Sequence, residues 1–158
     1  MTDAREVIEA LDMRRHPEGG WWVETWRAPA VDGVRPSSSA ILYLLEASDR
    51  SHWHRVDAAE VWQYSAGDPL ELRVAAARAT AVAVARDAAM PATRDAAVAV
   101  HRLGPAVTAG ETVQVVVPAG AWQAARPLGA WTLVGCIVAP AFEFAGFELA
   151  PEGWEPAP

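Results

Sequence analysis

The sequence has no Lys, no Asn and one cysteine in 158 residues. Each gap removes a class of chemistry. Without Lys there is no Schiff base, no pyridoxal phosphate anchor and no Walker-type phosphate loop. The lone Cys136 permits no internal disulfide and no cysteine-based zinc cluster, which suits a reducing cytoplasm. It stands within W-T-L-V-G-C-I-V, where a small buried core residue is expected. Positive charge is also scarce. Thirteen Arg face 20 acidic residues, for a net charge of -7. That balance argues against nucleic acid and against anionic lipid as partners. No window approaches the roughly 18 apolar residues of a membrane span. The opening M-T-D-A-R-E-V-I-E-A is too charged for a targeting segment. A soluble, cytoplasmic protein is expected. The missing Lys and Asn match the bias of a GC-rich bacterial genome.

The apolar fraction of 52% is ample for a core, and 21% charged residues is ordinary for a globular chain. The length predicts one domain over 1–158, with the fold over about 5–150 and a tail at 151–158. A short helix is predicted over 3–12. Asp3 and Glu6 form a capping-box pattern, and Val7, Ile8 and Leu11 form an apolar stripe. H-P-E-G-G at 16–20 breaks it. Period two then takes over at 22–27, 39–45, 61–65, 70–74, 112–117 and 131–138, with Gly/Pro turns between. Short strands at this spacing predict a sandwich or barrel. Residues 75–100 are Ala-rich. Yet Val82 and Val84, then Val98 and Val100, sit two apart about a turn at Pro91 and Thr93, and a hairpin is expected. The three prolines of the tail predict an irregular, loosely attached end.

Two segments can carry chemistry: H-W-H-R-V-D-A-A-E-V-W-Q-Y-S-A-G at 52–67 and V-V-V-P-A-G-A-W-Q at 115–123. A His and a Glu on neighbouring strands suit metal ligation or acid–base work. Equally, His54 can be a core histidine with a satisfied hydrogen bond, and Glu60 a solvated strand-end charge. If Glu60 points into a barrel, period two brings Trp62 and Tyr64 with it. Ser37–Ser39 lacks a nucleophile elbow, and Gly19-Gly20 lacks dinucleotide spacing.

These segments resemble the histidine–glutamate and P-x-G motifs of the cupin superfamily. The chain is similar to a small single-domain cupin family of unknown function. The carrying residues are H-P-E-G-G-W-W at 16–22, S-S-S-A-I-L-Y-L-L at 37–45, H-R-V-D-A-A-E-V-W-Q-Y-S-A-G-D-P-L at 54–70, L-G-P at 103–105, V-V-V-P-A-G-A-W-Q at 115–123 and V-G-C-I-V-A-P-A-F-E-F-A-G-F-E-L at 134–149. The resemblance implies an all-β double-stranded β-helix, the cupin jelly-roll barrel, behind a short N-terminal helix. It also implies a homodimer, whose interface would take up part of the three Trp between 16 and 27. The usual cupin metal set is two His, a Glu and a further His. The family spacing puts His54 at the first ligand position and Val56 at the second, with Glu60 and Gly67 following in step. Gln123 stands at the last. Two of four usual ligands are thus replaced.

The resulting expectation is a cupin that binds a small organic molecule in the barrel without a tightly held metal. Glu24, His54, Glu60, Trp62, Tyr64, Trp122 and Gln123 would line it. By analogy with sugar-nucleotide epimerases of the same fold, a carbohydrate- or nucleotide-like ligand is implied. The first alternative is a metal-independent epimerase or isomerase, with His54 as base and Tyr64 as opposite-face acid. The second is an enzyme dependent on a divalent metal held by His54, Glu60, Gln123 and His52.

Overall fold

A computed structural model describes residues 3–76 and 98–156. Helix α1 (Ala4–Ala10) starts at Asp3, whose capping box with Glu6 is fully formed. Strands follow: β1 (Arg14–Arg15), β2 (Trp21–Arg27), β3 (Ser39–Glu46), β4 (Ser51–Val56), β5 (Ala59–Gly67), β6 (Leu70–Ala75), β7 (Val98–Leu103), β8 (Gln114–Val117), β9 (Trp122–Pro127), β10 (Trp131–Ala139) and β11 (Phe147–Leu149). They make two antiparallel sheets, ordered β1-β2-β3-β10-β5-β8 and β11-β4-β9-β6-β7. The sheets face each other across a core of Tyr43, Leu45, Trp62, Leu70, Leu72, Leu103, Val115, Val117, Val134 and Cys136. This is the all-β jelly roll with a short N-terminal helix that the sequence predicts. Among the described residues no helix is long and apolar enough to cross a membrane.

Alternation along the strands sorts the side chains. In β5, Glu60 and Trp62 are buried while Gln63 and Ser65 are exposed. In β3, Ile41, Tyr43 and Leu45 pack on the main core, whereas Leu42 and Leu44 face outward under α1. There Val7, Ile8 and Leu11 cover Leu44, Trp21 and Leu133. The amphipathic helix thus covers part of one sheet's outer face.

One expectation is met in part and one changes. Val98 and Val100 do lie in a strand, but it pairs with β6, as Val98↔Ala75 and Val100↔Arg73. The expected partner strand at Val82 and Val84, and the turn at Pro91 and Thr93, lie outside the described residues. The tail is irregular but not loose over 151–156. Trp154 stacks on Trp122, with centroids 4.5 Å apart, and meets Trp53 edge-on at 6.0 Å. The Glu155 carboxylate accepts from Trp53 Nε1 at 3.0 Å and from Arg73 at 3.4 Å.

Candidate functional site

The site starts from a turn. In H-P-E-G-G, Gly19 and Gly20 have φ of 110° and 71°, the left-handed region that glycine enters without steric cost. Space demands glycine too, because a Cβ on Gly19 would strike the Arg50 carbonyl and one on Gly20 the Leu44 carbonyl and Leu45 side chain. The turn is laced to its surroundings. His52 N–H donates to the Glu18 carbonyl at 2.8 Å, and the Tyr43 hydroxyl donates to the Gly19 carbonyl at 2.7 Å. This pulls the Glu18 side chain into the barrel, between His16 on the turn and His54 on β4.

The proton positions there follow from the partners. His54 Nδ1 lies 2.8 Å from the His52 carbonyl, which can only accept, so this nitrogen carries hydrogen. His54 Nε2 faces Glu18 Oε2 at 3.2 Å. His16 Nδ1 accepts from the Glu18 backbone N–H at 3.3 Å and stands 3.5 Å from Glu18 Oε2. Ser51 Oγ donates to Glu18 Oε1 at 2.9 Å. One proton is therefore shared between the Glu18 carboxyl and the imidazoles. Burial raises the Glu18 pKa and lowers those of His54 and His16, so each group is pushed toward its neutral form.

A second carboxyl stands beside the first. Glu60, at the start of β5, is pushed by burial up to about 7, against the opposing pull of His54. Its Oε2 accepts from Gln123 Nε2 at 2.5 Å, and Gln123 Oε1 accepts from Trp62 Nε1 at 2.8 Å. Burial also pushes the neighbouring Cys136 thiol and Tyr43 hydroxyl well up, so both stay protonated.

These groups form the floor of a partly enclosed cavity of about 120 Å³. Trp22, Ile41, Tyr43, Val56, Val138, Phe142, Phe144 and Phe147 supply its apolar walls. The chain has three Phe, and all three line this space. At the rim Arg27 is bound to the Glu24 carboxylate, with Nη2 to Oε2 at 2.7 Å, and to the Phe142 carbonyl at 3.1 Å.

Of the residues singled out from sequence, Glu24, His54 and Glu60 line the cavity. Gln123 and Trp62 sit behind Glu60 and hold it. Tyr64 faces inward as alternation requires, yet it lies four residues beyond Glu60. Its hydroxyl donates to the Gly67 carbonyl at 2.6 Å at the other end of the barrel. It does not face His54 across the cavity. Trp122 packs outside, against Trp154 and under the Arg55 guanidinium. His52 turns away to the Ala150 and Pro151 carbonyls, 3.1 Å from each. Of the three Trp in the 16–27 segment, Trp21 and Trp22 fold back on this chain while Trp26 is exposed. Sequence reasoning missed His16, Glu18, Tyr43, Ser51 and the Phe cluster as site residues. H-P-E-G-G stands in the sequence as a helix break and as part of the family resemblance, and neither reading assigns His16 or Glu18 to the cavity.

The cupin metal set does not fit these residues. Gln123 uses its oxygen on Trp62 and its nitrogen on Glu60. His54 has one nitrogen on a backbone carbonyl and the other on Glu18. Val56 offers no donor. Among the described residues no group of three or more His, Cys, Asp or Glu is arranged to hold a metal ion.

Two facing antiparallel sheets with a polar cavity at one end define a cupin-type barrel. The chain belongs to the family described as Cupin superfamily (DUF985), whose profile matches residues 5–150. It is similar to the crystal structure of a protein from Shewanella oneidensis, at 30% identity and a TM-score of 0.79, covering 95% of this chain and 85% of that one. A hypothetical protein from Leishmania major is also 30% identical, with a TM-score of 0.77 and 94% and 88% coverage. A dTDP sugar isomerase from Desulfovibrio desulfuricans shares the fold at 13% identity, with a TM-score of 0.58 and coverage of 87% and 86%. A search of curated proteins found no match.

Proposed function

We propose that this protein binds a small organic molecule in the barrel cavity without a tightly held metal. The observation that carries the reading is the floor: buried Glu18, His54, His16 and Glu60 meeting under aromatic walls. Burying four titratable groups in one place opposes folding unless each is partnered. Apolar walls with a few convergent polar groups are the usual make-up of a ligand pocket. The likeness to the sugar isomerase is one of fold at 13% identity and brings no substrate with it.

A second reading, a metal-independent isomerase, draws support from the Glu18–His54 pair. A carboxyl and an imidazole that share one proton in a buried site can take a proton from a ligand and return it. Tyr64 has no part in this version. The acid on the opposite face would have to come from Glu60.

Mass spectrometry of small molecules retained from a metabolite extract tests both readings. We expect one organic compound enriched on the wild type and lost in Val138→Phe, which fills the cavity, with circular dichroism confirming that the variant folds. No enrichment over an unrelated protein would sink the binding proposal. One equivalent of Fe, Mn, Ni or Zn after dialysis against chelator would sink its metal-free form. Incubating the retained compound in deuterium oxide separates the readings, because an isomerase washes deuterium in and a binder does not. His54→Gln should abolish that exchange.

A further inference from the structure

We infer that the ligand of this cavity is a small organic ammonium ion, the cationic end of an amine, and not an anion or a neutral molecule. This rests on the reading of the cavity as a small-molecule site and names the ligand's class.

Charge in the lining is one-sided. Glu18, Glu24, Glu60 and Glu143 line the cavity, against one permanent cation, Arg27, and two imidazoles, His16 and His54, that burial pushes toward their neutral forms. Arg27 is already committed. Its Nε and Nη2 donate to Glu24 and its Nη1 to the Phe142 carbonyl, so its charge is already paired and each of its three nitrogens is engaged. The two floor carboxyls are each more than nine-tenths buried. Ser51 and the two imidazoles partner Glu18, and Gln123 partners Glu60. No guanidinium reaches either one among the described residues. A carboxylate buried without a fixed countercharge is costly, and a cation seated above it removes that cost. An anion would oppose the ionisation of both carboxyls, which burial already disfavours.

The walls point the same way. Trp22, Tyr43 and the three Phe present aromatic rings around the floor. His16 lies 5.4 Å from Trp22 and His54 lies 5.5 Å from Phe147, centroid to centroid. Aromatic faces attract cations, most strongly where water is excluded. His54 Nε2 and the carboxyl oxygens of Glu18 and Glu60 can accept, and a primary ammonium brings three N–H donors while a quaternary one brings none. Size limits the rest. A cavity of about 120 Å³ is a little smaller than the roughly 150 Å³ engineered void that takes benzene. The buried part of the ligand is therefore a short chain or small ring carrying the nitrogen.

The test uses the intact protein and three probes of one shape: n-propylammonium, 1-propanol and propionate. Isothermal titration calorimetry gives their affinities, and indole N–H shifts in protein NMR locate the site through Trp22. Propylammonium is expected to bind at least about tenfold more tightly than either of the others. Glu60→Gln should weaken it about tenfold, with circular dichroism showing that the fold is kept. Glu18→Gln serves as the second variant if the first does not fold. Propionate or 1-propanol binding as tightly as propylammonium would overturn the ammonium assignment and leave the small-molecule reading intact. Propylammonium failing to bind at millimolar concentration would also overturn it. The extract experiment then decides the wider reading independently.

Discussion

The barrel interior has two halves built by the same strands. One is dry: Leu70, Leu72 and Leu103 are fully buried and pack with Leu45, Val115, Ala125 and Val134. The other holds Glu18, Ser51, His54, Glu60 and open space. Trp62 stands on the border, with its ring in the dry core and its N–H on Gln123. The difference shows how one fold divides its tasks. Close packing in the leucine half supplies the stability that lets the other half keep a cavity and two buried carboxyls.

Three measurements sharpen or break that division. Leu72→Ala should have the largest effect, a loss of about 2–5 kcal/mol in chemical denaturation, because it empties space that neighbours cannot refill. A loss of under about 1 kcal/mol would mean that this half is not close-packed. Glu60→Gln should act through pH. The Glu60 pKa is raised from its ordinary 4.5 to about 7, so the folded state holds this proton more tightly than the unfolded chain does. The stability this proton confers is full below 4.5 and is lost as pH rises through 7. The variant has no such proton to lose. Its stability relative to wild type should rise between pH 4.5 and 7 by on the order of 3 kcal/mol, then level off. A flat difference across that range would show that Glu60 is not held in a desolvated site. Gln123→Leu, on the border, should cost the least, about 1–3 kcal/mol, by leaving Trp62 Nε1 and Glu60 Oε2 without their partner. Unchanged stability in thermal unfolding would separate the two halves completely.

How legible each part was in the sequence follows from where its side chains point. Strands β3 and β5 carry large apolar residues inward in alternation, and both were read close to their ends. Strand β9 was missed. Its inward residues are Gln123 and Ala125, while Trp122 and Arg126 lie on the other face, so the apolar phase is inverted. Strand β4 was missed because a bulge between Ser51 and His54 breaks its alternation. Tyr64 is the converse case, inward-facing but far from the cavity. Period two states which face of a sheet a residue takes, but not how far along the barrel it falls. His16 and Glu18 were hidden for a different reason. They sit on a turn more than 30 residues before His54, and backbone contacts to Arg50, His52 and Tyr43 place them, which spacing does not encode.

The Trp62–Gln123–Glu60 chain has a fixed direction. An indole can only donate, so the Gln123 amide cannot be flipped: its oxygen must meet Trp62 and its nitrogen must meet Glu60. Oε2 of Glu60 is thereby held as an acceptor. Any proton Glu60 carries is confined to its other oxygen. Near pH 7 that oxygen alternates between an O–H and a bare lone pair within an unmoving frame. One position in the barrel can thus offer a visitor either polarity, with no side chain changing its place.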